Sequence, residues 1–239
     1  KVQVHINSNE LKQAEKELNE YFIRIKNLDD KTGLDEMYFL YGLINYNKGF
    51  LKTAIENYIK ADEFIVNSKK DKPSMRIAIT NNIAQVYKEV GNYSKTIQYV
   101  ESAYEQSVKV KDTFNIMNIT LHKGVIETEF KNYKKALPYL TKSYDYFDKI
   151  NFQIYKGSSA LYLGMVYYEL KNYQKSMNNL SVAEKIYREI KDDNSLAQTL
   201  SYQSLNLLEM NQLQNAKTAI DESKRRMSTN TSSPIYLEI

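Results

Sequence analysis

The sequence predicts an all-α fold built from repeated pairs of helices. Its 239 residues include only 7 Gly and 3 Pro, so the residues that end strands and shape tight turns are scarce. A pattern of large and small residues recurs about every 40 residues, and a short turn precedes most copies. Internal repetition at such a period is the signature of a stack of small structural units.

Each copy of the pattern begins at a large apolar residue, which we call the anchor. In one copy the anchor Tyr173 is followed by Ser176, Leu180 and Ala183, a spacing that places all four on one face of a helix. The anchors lie at positions 11, 51, 93, 133, 173 and 213, at intervals of 40, 42, 40, 40 and 40 residues. The longer interval places its two extra residues in a polar loop at 67–73.

From the anchor at position 51 onward, another helix, the first of each pair, is predicted before the anchor helix, and it carries a small residue nine positions before the anchor. A glycine inside a helix costs about 1 kcal/mol relative to alanine, so its recurrence predicts a backbone contact that leaves no room for a side chain. In the turns, Gly49 and Gly91 suit the left-handed position that follows a helix. The small residues are Gly42, Ala84, Gly124, Gly164 and Ser204.

Capping residues help to place the helix ends. Asp112 and Asn194 are predicted N-caps, Pro73 suits a helix start, and Pro138 inside a helix should remove one hydrogen bond or cause a kink. The predicted helices are 9–27, 34–47, 50–67, 74–89, 92–110, 113–130, 132–150, 154–170, 172–191, 194–210 and 212–227.

The helix pattern divides the chain into three parts. Residues 9–227 form the repeat array, residues 1–8 are a tail or the remnant of a preceding helix, and residues 228–239 are a linker or tail. Because the helix at 9–27 has no first helix before it, we expect an incomplete first repeat and a chain cut from a longer parent.

Composition excludes most catalytic and metal-binding chemistry. There is no Cys and only two His, so thiolate and histidine-rich sites are not predicted. The lone His122 is interpreted as structural, and neither a phosphate-binding glycine loop nor a nucleophile elbow is present. A net charge of +4 and the lack of a long apolar run predict neither direct nucleic-acid binding nor membrane insertion. We therefore predict a non-enzyme without cofactor or metal.

These features resemble the tetratricopeptide repeat family. The resemblance lies in the small residue of the first helix, in the Tyr-x-x-Ala segment of the second (Tyr133 and Ala136), and in its closing small residue. The period is 40 residues instead of about 34, and Trp is absent. HEAT arrays also have long two-helix repeats, but the small-residue pattern favours the tetratricopeptide family. The resemblance implies a right-handed superhelical solenoid of about six repeats, the first incomplete.

The 40-residue form is similar to two groups of bacterial regulators, cytosolic peptide-pheromone receptors and the sensor regions of membrane-anchored signalling proteins. The resemblance implies a non-catalytic module that binds a peptide or protein segment in its concave groove. The alternative is a structural assembly adaptor or dimerisation scaffold without a small ligand, and a homodimer fits either hypothesis. A cytoplasmic location is favoured, with an extracytoplasmic sensor region as the alternative.

In the family, groove residues lie on the first helix of each repeat, fifteen, twelve, eight and five positions before the anchor used here. Amides at these positions can pair with a peptide backbone, and apolar side chains can form pockets. Because Lys88 is the only base among them, the sequence predicts no carboxylate clamp and no tight binding of a strongly acidic peptide. The candidate residues are Phe39, Tyr46, Asn81, Gln85, Lys88, Asn118, Leu121, Val125, Leu161, Met165, Tyr168 and Gln198.

Overall fold

A computed structural model describes residues 2–7, 10–26, 33–68 and 71–228, which form twelve α-helices and no strand. None of these helices is long and apolar enough to cross a lipid bilayer. The helices are α1 (Val2–Asn7), α2 (Leu11–Lys26), α3 (Leu34–Asn47), α4 (Leu51–Ser68), α5 (Pro73–Glu89), α6 (Tyr93–Lys109), α7 (Thr113–Glu129), α8 (Tyr133–Lys149), α9 (Gln153–Glu169), α10 (Tyr173–Ile190), α11 (Asp193–Glu209) and α12 (Leu213–Ser228).

The predicted all-α fold is confirmed, and helices α2 to α12 match the eleven predicted ranges within two residues at each end. Pro73 is the first residue of α5, and Pro138 lies inside α8, as predicted. Part of the predicted loop at 67–73, residues 69 and 70, lies outside the described residues. Residues 1 and 8 of the predicted N-terminal tail, residues 9 and 27 of the predicted helix 9–27, and residues 229–239 of the C-terminal tail also lie outside them.

One of the two predicted N-caps is confirmed and the other is wrong. The side chain of Asp112 accepts a hydrogen bond from the backbone N–H of Asn115 at 3.0 Å. Asn194 does not cap α11, because the helix begins at Asp193. Asp192 is the cap instead, accepting from the backbone N–H of Ser195 at 3.1 Å. Asn194 cannot be the N-cap because an N-cap precedes the first helical residue, whereas Asn194 lies in the first turn of α11.

The helices form two compact units, one within residues 1–111 and the other within residues 112–232. Unit 1 contains α1 to α6 and unit 2 contains α7 to α12, with each odd-numbered first helix packed against the even-numbered second helix that follows it. In unit 2 the first helices α7, α9 and α11 also contact one another in order, whereas contacts between its second helices are at most marginal. The first helices therefore lie on the inner side of unit 2.

The predicted close approach of paired helices is confirmed at three glycines. A Cβ atom on Gly164 would lie 2.6 Å from Cγ and Cδ2 of Leu180, and one on Gly124 would lie equally close to Leu140. A Cβ atom on Gly42 would overlap the ring of Tyr58. Glycine is needed because the large residue of the second helix sits directly against the backbone of the first.

The turns between paired helices contain a residue in the left-handed conformation. Gly49 and Gly91 have φ values of 81° and 70°, as predicted. In the later repeats the same position is held by a residue with a Cβ atom, and φ remains near +60° at Lys131, Lys171 and Asn211. Such residues carry a steric cost that glycine avoids.

Candidate functional site

Unit 2 has one solvent-facing stripe on each of its first helices, because the rest of each helix packs against its neighbours. On α7, α9 and α11 this stripe lies fifteen, eleven, eight and four residues before the next anchor. We call these twelve residues the first-helix face of unit 2. They are Asn118, His122, Val125, Glu129, Ser158, Tyr162, Met165, Glu169, Gln198, Tyr202, Leu205 and Glu209.

Two predicted groove residues lie in the hydrophobic core instead of on this face. Leu121 and Leu161 are each only 2% exposed. Leu121 packs with Leu140, and Leu161 packs with Leu180, within the core clusters of unit 2. The position twelve residues before the anchor thus turns toward the second helix. We therefore leave both leucines out of the candidate binding surface.

Four predicted residues do lie on the face, namely Asn118, Val125, Met165 and Gln198. The Oδ1 atom of Asn118 is buried and accepts no hydrogen bond, and an unmade hydrogen bond at a buried acceptor has a free-energy cost. The Nε2 atom of Gln198 lies 3.9 Å from Sδ of Met165, so the two side chains bridge α11 and α9. These residues bring amide and apolar groups onto neighbouring helices.

Tyr168, also predicted, joins an aromatic group at the edge of this face. Its ring centroid lies 5.9 Å from the centroids of both Tyr202 and Tyr173. Burial, followed by the negative charges of Glu209 and Glu169, raises the pKa of Tyr168. Burial and the charge of Glu169 likewise raise the pKa of Tyr202. Both hydroxyls therefore stay protonated at neutral pH and can donate hydrogen bonds.

A row of three carboxylates marks one end of the face. Glu129, Glu169 and Glu209 are the last residues of α7, α9 and α11, where negative charge opposes the helix dipole at a cost of about 0.3–1 kcal/mol. The hydroxyl of Tyr162 donates to Glu129 at 3.4 Å, and that of Tyr173 donates to Glu209 at 3.2 Å. Every base on these three helices is buried or half-buried, so the face is acidic and suits neutral or cationic ligands.

The other five predicted residues lie on α3 and α5 in unit 1. The ring of Phe39 packs 5.9 Å from that of Tyr58, and the hydroxyl of Tyr46 donates to Glu89 at 3.4 Å. The Nζ atom of Lys88 lies 3.5 Å from the same Glu89 carboxylate. The only base among the predicted residues is thus already paired with an acid. The remaining two, Asn81 and Gln85, are half-buried on α5.

The prediction missed the positions eleven and four residues before the anchor, which hold Tyr162, Tyr202 and Glu169 in unit 2. A signal was present, because Glu occurs four residues before the anchor in four successive repeats (89, 129, 169 and 209). Within the part of the chain that the structure describes, no three His, Asp or Glu side chains form a cluster that could hold a metal ion.

Comparison with known proteins identifies similar folds at low sequence identity. A family model described as anaphase-promoting complex subunit 5 matches residues 120–222 of this chain. No curated protein sequence matches the chain. A crystal structure of NprR in complex with its cognate peptide NprX has 17% identity and a TM-score of 0.74, and the match covers 96% of this chain and 66% of that one.

Two further solved structures are similar over nearly the whole chain. The Rap conjugation gene regulator of plasmid pLS20, in complex with the Phr* peptide, has 14% identity and a TM-score of 0.77, covering 95% of this chain and 60% of its own. Aspartyl phosphate phosphatase F from Bacillus subtilis has 12% identity and a TM-score of 0.71, and the match covers 100% of this chain and 72% of that one. The chain thus spans about two thirds of the length of these proteins.

The repeat pattern, the paired helices and these similar folds agree with one another. In three repeats the small residue of the first helix, Gly42, Gly124 or Gly164, lies against the large residue of the second helix, as the sequence pattern requires. The chain has the fold of an all-α helical solenoid, similar to that of these solved structures.

Proposed function

We propose that the chain is a non-catalytic module that binds a peptide or protein segment on the first-helix face of unit 2. In this proposal it is the sensor or regulatory region of a bacterial signalling protein or transcription regulator. Two proteins of similar fold, NprR and the Rap regulator of pLS20, were solved with bound peptides, and this supports a peptide as the ligand.

The observation that carries the proposal is the set of amide and partly exposed apolar side chains, Asn118, Val125 and Met165, on one face of neighbouring first helices. An extended peptide offers backbone N–H donors and C=O acceptors at regular spacing, and an amide side chain can pair with either. Val125 and Met165 are half-buried on the same face, where a ligand side chain can cover them. Contacts of this kind hold a peptide backbone and select its side chains by shape and polarity.

The charge of the face indicates which class of peptide it can bind. The carboxylates of Glu129, Glu169 and Glu209 disfavour an acidic peptide, because every charge-bearing contact at that end would be repulsive. The protonated hydroxyls of Tyr168 and Tyr202 can donate to peptide carbonyl groups. A neutral or basic peptide therefore fits the face best.

The test is a positional library of short peptides screened against the purified chain, followed by calorimetric titration of the best binder. Asn118→Ala and Met165→Ala should each weaken binding about threefold to tenfold, the effect of losing one hydrogen bond or one apolar contact. Asn178→Ala on α10 and Met227→Ala on α12 are the matched controls, because both residues are exposed on second helices.

The controls should bind with wild-type affinity. If no peptide binds saturably, or if Asn118→Ala and Met165→Ala bind as tightly as the controls, the assignment to this face is refuted.

A second candidate, assembly with another copy of the chain, is favoured by exposed apolar residues beside the last described turn. Leu208 lies in the last turn of α11 and Leu213 is the first residue of α12, and they are 46% and 67% exposed. Sedimentation of the wild type and of Leu208→Ser/Leu213→Ser would test it. A dimer that the double variant dissociates supports assembly, whereas a wild-type monomer at high concentration refutes it.

A further inference from the structure

The second helices of unit 2 expose an excess of positive charge. Their exposed charged side chains are ten bases and four acids, a net charge of +6. We call the exposed residues of α8, α10 and α12 the second-helix face of unit 2. The bases are Lys134, Lys135, Lys142, Lys149, Lys175, Lys185, Arg188, Lys217, Lys224 and Arg225, and the acids are Asp145, Asp148, Glu189 and Asp221.

The corresponding surface of unit 1 shows that this charge is not a general property of the repeat. The exposed charged residues of α2, α4 and α6 are seven bases and five acids, a net charge of +2. The bases there are Lys12, Lys16, Arg24, Lys52, Lys60, Lys95 and Lys109, and the acids are Glu20, Glu56, Glu63, Glu101 and Glu105. The second helices of unit 2 therefore expose a much larger excess of positive charge than those of unit 1.

Most of the basic groups on this face are free to meet a ligand. Arg188 is engaged by Glu222, with Nη1 2.7 Å from Oε1, and Lys175 lies over the ring of Tyr167. Seven lysines have no ion-pair partner among the described residues. They are Lys134, Lys135, Lys142, Lys149, Lys185, Lys217 and Lys224.

The uncharged residues of the face indicate the chemistry of the partner. They are mostly amides and hydroxyls, such as Gln174, Asn178 and Thr218, and every aromatic side chain on α8, α10 and α12 is at least half-buried. Protein interfaces have apolar, aromatic centres and are depleted in lysine. Contacts to nucleic-acid phosphates come from Lys, Arg, Ser, Thr, Asn and Gln. This composition matches a phosphate backbone better than a protein surface.

We propose that the second-helix face of unit 2 binds the phosphate backbone of nucleic acid, independently of base sequence. The expectation of no nucleic-acid contact rested on the net charge of +4, which averages over all surfaces. The folded chain separates the charges, because in unit 2 the first helices end in Glu129, Glu169 and Glu209 while the second helices carry the bases. The basic face is on different helices from the proposed peptide site.

The test is fluorescence anisotropy of the purified chain with a labelled DNA duplex of about 20 base pairs and a labelled RNA strand of similar length, from about 50 to about 200 mM salt. The variant is Lys134→Gln/Lys149→Gln/Lys175→Gln. The matched control is Lys52→Gln/Lys109→Gln/Lys95→Gln, which removes three lysines at the same repeat positions in unit 1. Circular dichroism verifies that both variants are folded.

The wild type should bind both probes more weakly as salt rises. The unit 2 variant should bind more than tenfold more weakly at low salt, with a log–log salt slope for duplex DNA smaller by about two to three, since each lost phosphate contact removes about 0.9. The control should lose less than twofold. Tighter binding of the DNA duplex or of the RNA strand identifies which kind of nucleic acid the face binds.

Three results would overturn the proposal. One is the absence of nucleic-acid binding at the lowest salt, and another is an equal loss in both triple variants. The third is stronger binding to polyglutamate or to anionic lipid vesicles than to either nucleic acid, which would assign the face to an acidic protein or a membrane surface. None of these results bears on the peptide titration with Asn118→Ala.

Discussion

The contact between Gly164 and Leu180 allows a sharp test of how the repeats pack. In Gly164→Ala, the new methyl carbon would lie 2.6 Å from both Cγ and Cδ2 of Leu180. Favourable carbon contacts are about 3.5–4.0 Å, so the leucine must retreat by about 1 Å. It has no space to do so easily, because Leu180 is 0% exposed.

Two effects of opposite sign set the expected change in the free energy of unfolding. Alanine is a better helix former than glycine by about 1 kcal/mol. Overpacking a core typically costs about 1–3 kcal/mol, and the clash involves the branch point of Leu180 as well as a terminal methyl group, which places it in the upper part of that range. We therefore expect Gly164→Ala to destabilise the chain by about 1–2 kcal/mol.

The chain itself supplies the compensating substitution. The repeat that has Ala84 in place of glycine has the smaller Val100 in place of leucine, and both are fully buried. Leu180→Val alone should cost about 1 kcal/mol through lost burial and a small cavity. Combining it with Gly164→Ala recreates the Ala–Val pair, so the double variant should lie within about 1 kcal/mol of the wild type.

The assay is urea denaturation followed by helical circular dichroism, applied to the wild type, both single variants and the double variant. Independent effects would sum to a loss of about 2–3 kcal/mol, whereas residues in contact show a coupling energy in a double-mutant cycle. The packing argument is refuted if the double variant shows the summed loss. It is also refuted if Gly164→Ala is more stable than the wild type, as helix propensity alone would require.

Three further predictions concern an ion pair, a residue in a left-handed turn and a helix N-cap. A hydrogen bond from Arg188 lowers the pKa of Glu222, so the carboxylate stabilises the fold above the unfolded pKa of about 4.3 and loses this effect as pH falls through the folded pKa. Glu222→Gln should therefore cost about 1 kcal/mol at pH 7 by urea denaturation, and the difference should vanish in acid; an equal difference at both pH values contradicts this. Lys171→Gly should raise stability by about 1 kcal/mol by relieving a left-handed backbone, and a lower thermal midpoint would contradict that reasoning. Asp112→Ala should cost about 1 kcal/mol in the same urea assay, whereas Asp112→Asn, which keeps a capping oxygen, should cost much less.

The sequence predicted the helices and their pairing with good accuracy, because local chemistry sets both. Anchors such as Tyr133 and Tyr173 begin second helices, and Gly49 and Gly91 adopt the left-handed turn that only glycine enters freely. The recurrence of Gly124 and Gly164 opposite leucine also predicted where helices touch. Each of these features repeats every 40 residues, so independent copies supported one interpretation.

The candidate binding surface was predicted less well, because helical periodicity alone does not fix which side of a first helix faces solvent. Positions eleven and twelve residues before the anchor differ by one residue, or about 100° around the helix. That rotation places Leu161 in the core and Tyr162 on the surface. Only the packing of α9 against both α8 and α10 distinguishes the two positions.

The sequence by itself thus determined the repeat, the helix ends and the small-to-large matching within each pair, since these depend on interactions between residues close in the chain or at fixed spacing. The tertiary structure alone decided the solvent-facing stripe, the unsatisfied acceptor on Asn118 and the separation of charge in unit 2. The physical reason is that burial is a property of all neighbouring helices together, and a net charge counted along the chain contains no information about which side of the fold carries it.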